Sequence, residues 1–248
     1  MLAMNLPCQC PASPALRAPL ATVHRTARRG FAASLLCGFT CLLLASGVHA
    51  LSPDIRFHQF ESTVWSIRDG LPQVTVQAVA QGPEGYMWTG TQAGLSRFDG
   101  TRFDVFDPTR HPAIPTRNIQ ALFLDSRGRL WIGTTRGPIF FQDDRFHGVD
   151  PAPARSLDVH DFTETDDGWV LVATDSGLWR TRTGELEPVA LGAARPLRAV
   201  FHHAGETVAG GRGLIMEHAG EAWQRAELPA SVRNSTVTAF AAHDGRLW

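Results

Sequence analysis

Eleven residues recur along this chain at intervals close to forty, and that recurrence restricts the fold more than any other feature. The first copy reads Gly85-Tyr-Met-Trp88-Thr-Gly90-Thr91-x-x-Gly94-Leu95, and the second Gly128-Arg-Leu-Trp131-Ile-Gly133-Thr134-x-x-Gly137. A looser third copy is Gly168-Trp-Val-Leu171-Val-Ala173-Thr174-x-x-Gly177-Leu178. A fourth, one residue short, is Gly205-Glu-Thr-Val208-Ala-Gly210-Gly211-x-Gly213-Leu214, and a fifth begins at Gly245-Arg-Leu-Trp248. The leading glycines are 43, 40, 37 and 40 residues apart. One such match would carry little weight, but five in register define an array of equivalent units.

The flanks repeat as well. A β-like stretch precedes each leading glycine, at residues 74–81, 118–124, 157–164, 197–202 and 236–241. A short strand and a turn follow the second turn glycine, as in 95–98 before Asp99-Gly100 and 139–141 before Asp143-Asp144, and a last strand closes the unit. No stretch after residue 50 holds a helical period. Units of about 40 residues, each of four short strands joined by Gly- and Asp-rich turns, predict an all-β chain of four-stranded antiparallel β-propeller blades. About four and a half blades fit between residues 74 and 248, an incomplete propeller, with 51–73 as an N-terminal strand and lead-in segment.

Each repeated residue type has a physical reason. Gly85, Gly128, Gly168, Gly205 and Gly245 end hairpin turns, where a positive φ penalises a side chain; Gly94, Gly137 and Gly177 do the same one hairpin later. Trp88, Trp131 and Trp248 are large enough to fill the wedge between blades, and Gly90, Gly133 and Gly210 leave room for a neighbouring strand. Packing is preferred to ligand stacking for these tryptophans because the same slot accepts Leu171 and Val208.

The first fifty residues read differently. Arg25, Arg28 and Arg29 precede the apolar run 31–45, and small residues follow to Val48-His49-Ala50. This is the layout of a secretory signal peptide over residues 1–50 with cleavage after Ala50; an uncleaved anchor would export the rest equally. All four cysteines, Cys8, Cys10, Cys37 and Cys41, fall in this leader. The exported part therefore has no disulfide, cysteine-ligated zinc or cysteine nucleophile. Of the 23 basic residues every one is Arg, which excludes lysine Schiff-base and P-loop chemistry. The formal charge of -1 gives no support for nucleic acid as a partner.

The residues Trp65-Ser-Ile-Arg-Asp69-Gly70-Leu71-Pro72-Gln73, followed by the first repeat, resemble the opening of two-component regulator propeller sensors. Those proteins start with a D-G-L-P segment and repeat a D-x-x-G-x-L-W-I-G-T-x-x-G-L unit, which residues 125–137 match closely. The resemblance covers about residues 55–248 and loosens from the second unit to the fourth. It implies the periplasmic sensor region of an inner-membrane receptor, of which this chain is an N-terminal fragment. In such receptors a transmembrane helix and a cytoplasmic histidine kinase or diguanylate cyclase lie downstream. It also implies a dimer for the full-length receptor and a small molecule, glycan or protein as ligand.

No catalytic constellation stands out, and no catalytic, cofactor-binding or metal-ligating residue is assigned. His202 and His203 are adjacent and would point to opposite sides of a strand. Asp143-Asp144 and Asp166-Asp167 fall at turn positions. Gly210-Gly211-Arg212-Gly213 precedes a strand, whereas a phosphate cradle needs a helix N-terminus. A ligand, if bound, is expected where blade-to-blade connections converge, around 108–117, 151–156 and 190–196. A sensor, a secreted propeller enzyme acting on polysaccharide and a passive interaction scaffold remain the competing functions.

Overall fold

The computed structural model describes residues 63–149, 157–192, 195–219, 222–243 and 246–248. The leader, the position after Ala50, residues 51–62, the connection 151–156 and Gly245 lie outside the described residues.

Four antiparallel sheets follow one another, each a meander of four strands. The first is β1 Val76–Gln81, β2 Met87–Thr91, β3 Leu95–Phe98 and β4 Phe103–Phe106. The second is β5 Ile119–Leu124, β6 Leu130–Thr134, β7 Gly137–Gln142 and β8 Arg145–Gly148. The third is β9 Val159–Glu164, β10 Val170–Thr174, β11 Gly177–Thr181 and β12 Glu187–Pro188. The fourth is β13 Leu197–His203, β14 Glu206–Gly211, β15 Leu214–Ala219 and β16 Ala222–Arg225. Consecutive sheets meet through their first strands, β1 against β5, β5 against β9 and β9 against β13. First strands at the centre of successive four-stranded sheets are the arrangement of propeller blades around an axis. The chain is an all-β propeller.

The first hairpin of each blade closes on its leading glycine. Gly128 donates its N–H to the Asp125 carbonyl at 3.0 Å with φ +76°, and Gly168 to Thr165 at 2.8 Å with φ +79°. Blade four shortens this hairpin to Ala204-Gly205, both at positive φ (51° and 83°), between the paired His203 and Glu206. The second hairpin is held by the threonine of the repeat. Thr91, Thr134 and Thr174 are buried, and each Oγ1 donates to the carbonyl of Gly94, Gly137 or Gly177 at 2.7–2.9 Å.

Blades pack by nesting an inner strand against a glycine. A Cβ on Gly90 would lie 2.6 Å from Ile119 Cγ2, and one on Gly133 would lie 2.8 Å from Val159 Cγ1. Gly210 faces Val237 in the same way, at 2.7 Å, and in blade three the slot holds the small, buried Ala173. Trp88 packs with Leu95, Ile119 and Phe141 between the first two blades; Trp131 packs with Phe140, Val159 and Phe162 between the next two. Leu171 and Val208 are buried at the equivalent positions of blades three and four. Among the described residues β1 has only the β5 side covered. Val76 is accordingly 39% exposed, whereas its equivalents Ile119 and Val159 are fully buried.

The fifth unit departs from expectation. Residues 236–241 do not form a strand. Their backbone is taken up by the glycine turn of blade four: Gly213 donates to the Ser235 carbonyl at 2.8 Å, Val237 donates to the Gly211 carbonyl at 3.2 Å, and Arg212 bridges Thr236. Among the described residues a two-stranded piece follows, β17 Ala242–His243 with β18 Arg246–Leu247, and Trp248 is 71% exposed.

Candidate functional site

The first strand of every blade carries a one-residue bulge at the same repeat position. In β1 the pairing jumps from Val76 to Ala78, in β5 from Ile119 to Ala121, in β9 from Val159 to Asp161 and in β13 from Leu197 to Ala199. The residues skipped are Gln77, Gln120, His160 and Arg198, all polar. A bulge releases one residue from the ladder and re-aims its side chain. Because these strands surround the axis, the four bulges place four polar side chains at one end of it. This is also the end of the β2–β3 type turns and of the blade-to-blade connections.

Three of these residues are bonded across blade boundaries. Gln120 Nε2 donates to Asp158 Oδ1 at 2.6 Å, and Gln120 Oε1 lies 2.9 Å from His160 Nδ1. The carboxylate fixes which end of the amide is nitrogen, so Gln120 Oε1 must accept, and His160 Nδ1 carries the proton. Arg198 Nη1 is 3.3 Å from the same Nδ1. Asp158 is anchored in turn by Asp175, whose Oδ1 accepts the Asp158 N–H at 3.1 Å while its own N–H returns to the Asp158 carbonyl at 3.1 Å. The His160 side chain is 6% exposed, and its Nε2 has no hydrogen-bond partner; Asp158 Oδ2 is 4.0 Å away. Burial, with the Arg198 charge second, holds the imidazole below its ordinary pKa.

Asp161, next along β9, joins blades three and four. Its Oδ1 accepts the Phe162 N–H and its Oδ2 the Val200 N–H of β13, each at 2.9 Å. Burial outweighs these two bonds and pushes its carboxyl up to about 6. A carboxyl raised on folding stabilises the fold fully below its unfolded pKa, and that contribution is lost as pH rises through about 6. Relative to Asp161→Asn, the wild-type chain is therefore expected to lose on the order of 2 kcal/mol between about pH 4 and about pH 7. Urea unfolding of both proteins across that range reads the difference; parallel pH profiles would show that Asp161 is not held in this state.

The remaining sequence candidates occupy turns and packing sites. Asp143 and Asp144 form the two-residue turn between β7 and β8 with φ of 50° and 56°. Asp166 and Asp167 lie in the β9–β10 turn, where Thr165 Oγ1 donates to Asp167 Oδ1 at 2.6 Å. His202 bridges blades, accepting the Asp166 N–H on Nε2 at 3.2 Å, while Nδ1 contacts Thr207 Oγ1 at 2.8 Å. His203 lies on the other side of the strand near Phe201. The connection 108–117 folds inward on Ile114, and Asp107 caps its start by accepting from the Thr109 N–H at 2.8 Å. Part of the connection 190–196 edges a groove of about 270 Å³ between Ser176–Trp179 and Pro188–Gly192. A larger one, about 550 Å³, lies beside Gly213, Arg225 and Arg233 in blade four. The row of bulge residues escaped sequence reasoning. Its trace was there: Gln77, Gln120 and His160 each stand 8 residues before a leading glycine and Arg198 stands 7 before, each a polar residue directly after the apolar residue that opens the strand.

Repeat, blades and the row of polar bulge residues together define the class: a repeat-built β-propeller with a polar end. Residues 113–136 match the family described as two component regulator propeller, so the chain carries a two-component regulator propeller repeat. No curated protein sequence matches the chain. Among solved structures, the extracellular domain of a candidate one component system of B. thetaiotaomicron aligns with a TM-score of 0.60 at 17% identity. The match covers 70% of this chain and 25% of that one. The extracellular domain of a candidate hybrid two component system of the same organism aligns at 0.57 and 15%, over 67% of this chain and 24% of that one. This chain thus spans about a quarter of the length of those extracellular domains. A virginiamycin B lyase from Staphylococcus aureus has a similar fold, with a TM-score of 0.58 at 15% identity over 72% of this chain and 63% of the lyase.

Proposed function

We propose that this chain is the exported, ligand-sensing propeller of a bacterial transmembrane receptor. In this reading the axial end binds a small molecule, glycan or protein segment and biases a cytoplasmic histidine kinase or diguanylate cyclase, in a receptor that works as a dimer. The observation that carries it is the row of polar bulge residues, built at one repeat position on a scaffold whose repeat matches a regulator propeller. The fold likeness to two receptor extracellular domains supports the same reading. The chain itself is read as non-enzymatic.

Export is tested by fusing alkaline phosphatase after residue 248, which is expected to give an active, periplasmic phosphatase. A fusion that stays inactive in the cytoplasm would refute it. Sensing is tested on the full-length protein with pooled oligosaccharides and small metabolites. Saturable binding that changes receptor output, with the bound compound recovered intact, is the expected result. Recovery of cleaved product would favour the secreted-enzyme reading instead.

A further inference from the structure

We propose that Arg198 is the docking point for a carboxylate carried by a small ligand, and that docking draws a proton onto His160 Nε2. The proposal names a ligand chemistry for the sensor site, and in that respect it rests on the sensor reading.

Arg198 sits exposed at the bulge of β13, and among the described residues no carboxylate lies within ion-pair distance of it; the contact it makes is with His160. That contact is not a settled one. Asp158 orients Gln120, Gln120 requires a proton on His160 Nδ1, and the guanidinium therefore meets an N–H and not a lone pair. The other ring nitrogen is buried without a partner. It faces Asp158 Oδ2 at 4.0 Å, an arrangement suited to an N–H and unsuited to a lone pair. His160 is thus stranded in its neutral form. Protonation would give Nε2 a carboxylate to face, but burial and the Arg198 charge oppose it.

An anion on the outer side of Arg198 removes one of those two oppositions. A carboxylate matches the planar fork of a guanidinium through two parallel hydrogen bonds. Phosphate or sulfate would bring a second negative charge towards Asp158 and Asp175, so a singly charged group is preferred. The charged groups around His160 are Arg198 from β13, Asp158 at the start of β9, Asp175 from the β10–β11 turn, and Asp161 one residue on, which is tied to the Val200 N–H. The proton comes from solvent, and no covalent bond changes. Linkage makes the effect reciprocal: the ligand raises proton affinity, and the proton raises ligand affinity.

The probe is acetate, titrated against chloride at equal ionic strength into the full-length protein and read as a shift in thermal midpoint. Acetate is expected to bind about five-fold or more tightly at about pH 5.5 than at about pH 7.5. Arg198→Gln, an exposed change, is expected to abolish the acetate-specific shift at both values. His160→Gln is expected to level the affinity between them. Calorimetry in buffers of different ionisation enthalpy reads the proton directly, with uptake on acetate binding in the wild type and none in His160→Gln. An acetate shift that survives Arg198→Gln overturns the docking point, and equal affinity at both pH values overturns the coupling. A receptor whose output ignores carboxylate ligands while this binding persists counts against the sensor reading and leaves the docking point standing.

Discussion

With Asp125 replaced by alanine, the propeller is expected to lose about 3–5 kcal/mol of unfolding free energy, the range for removing one partner of a buried ion pair. The Asp125 side chain is fully buried and accepts four hydrogen bonds. Two come from the Arg127 and Arg129 N–H groups at 3.0 and 2.9 Å, one from Arg129 Nε at 2.7 Å and one from the Trp131 indole at 2.8 Å. Arg129 is buried too, lies over the Trp131 ring at 5.0 Å, and already has Nη2 without a partner. Truncating Asp125 would leave a buried guanidinium uncompensated and a buried indole N–H unpaired. The double variant Asp125→Ala/Arg129→Met is expected to recover most of the loss, because removing both charges also removes the stranded one. Urea unfolding of the three proteins measures this. A single-variant loss below about 1 kcal/mol would mean the pair is open to water.

Trp131→Ala is expected to destabilise by a similar amount, about 3–5 kcal/mol, as for other buried aromatic truncations. The ring is completely buried and contacts Phe140 of its own blade at a centroid distance of 5.1 Å and, across the boundary of blades two and three, Phe162 at 6.2 Å. Trp88 supplies an internal control. It is equally buried, but blade one has Gly82 where blade two has Asp125, and the Trp88 indole N–H has no partner. Substitution by phenylalanine therefore separates the two positions. Trp131→Phe takes a donor from Asp125 and should cost about 1–3 kcal/mol more than Trp88→Phe, which gives up no hydrogen bond. Equal losses at the two sites would show that the Asp125 bond adds nothing to the packing.

The blades were legible in the sequence because their turns need glycine. The left-handed φ at Gly85, Gly128 and Gly168 leaves a mark that no other residue type would leave as cheaply. The tryptophan slot was legible for a related reason, since tryptophan recurs at the same repeat position in the first two units. Residues 236–241 misled because an apolar, β-prone stretch predicts extended chain without saying what it pairs with. Here its leading backbone groups go to the glycine turn of blade four. The row of bulge residues was hidden by register. A bulge shifts one side chain without changing residue type in a diagnostic way, and the bonds among Gln120, Asp158 and His160 join positions some forty residues apart. Asp161 is similar: its carboxyl is raised by burial in the fold, against the opposing hydrogen bonds from Val200 of the next blade and Phe162, and burial leaves no mark in the sequence.

The bulges also separate two demands that usually compete within one strand. A residue in a ladder is judged by its cross-strand neighbour, so a change there disturbs sheet pairing. Gln77, Gln120, His160 and Arg198 have no opposite number in the ladder, so their exchange leaves strand pairing untouched, and what constrains Gln120, His160 and Arg198 is instead the bonding among them. The rim of this propeller is in that sense modular. Its charge and hydrogen-bonding character can be rewritten without touching the sheets, one position at a time at Gln77 and as a linked set at Gln120, His160 and Arg198, giving descendants of one scaffold different chemical tastes while the packed walls stay as they are.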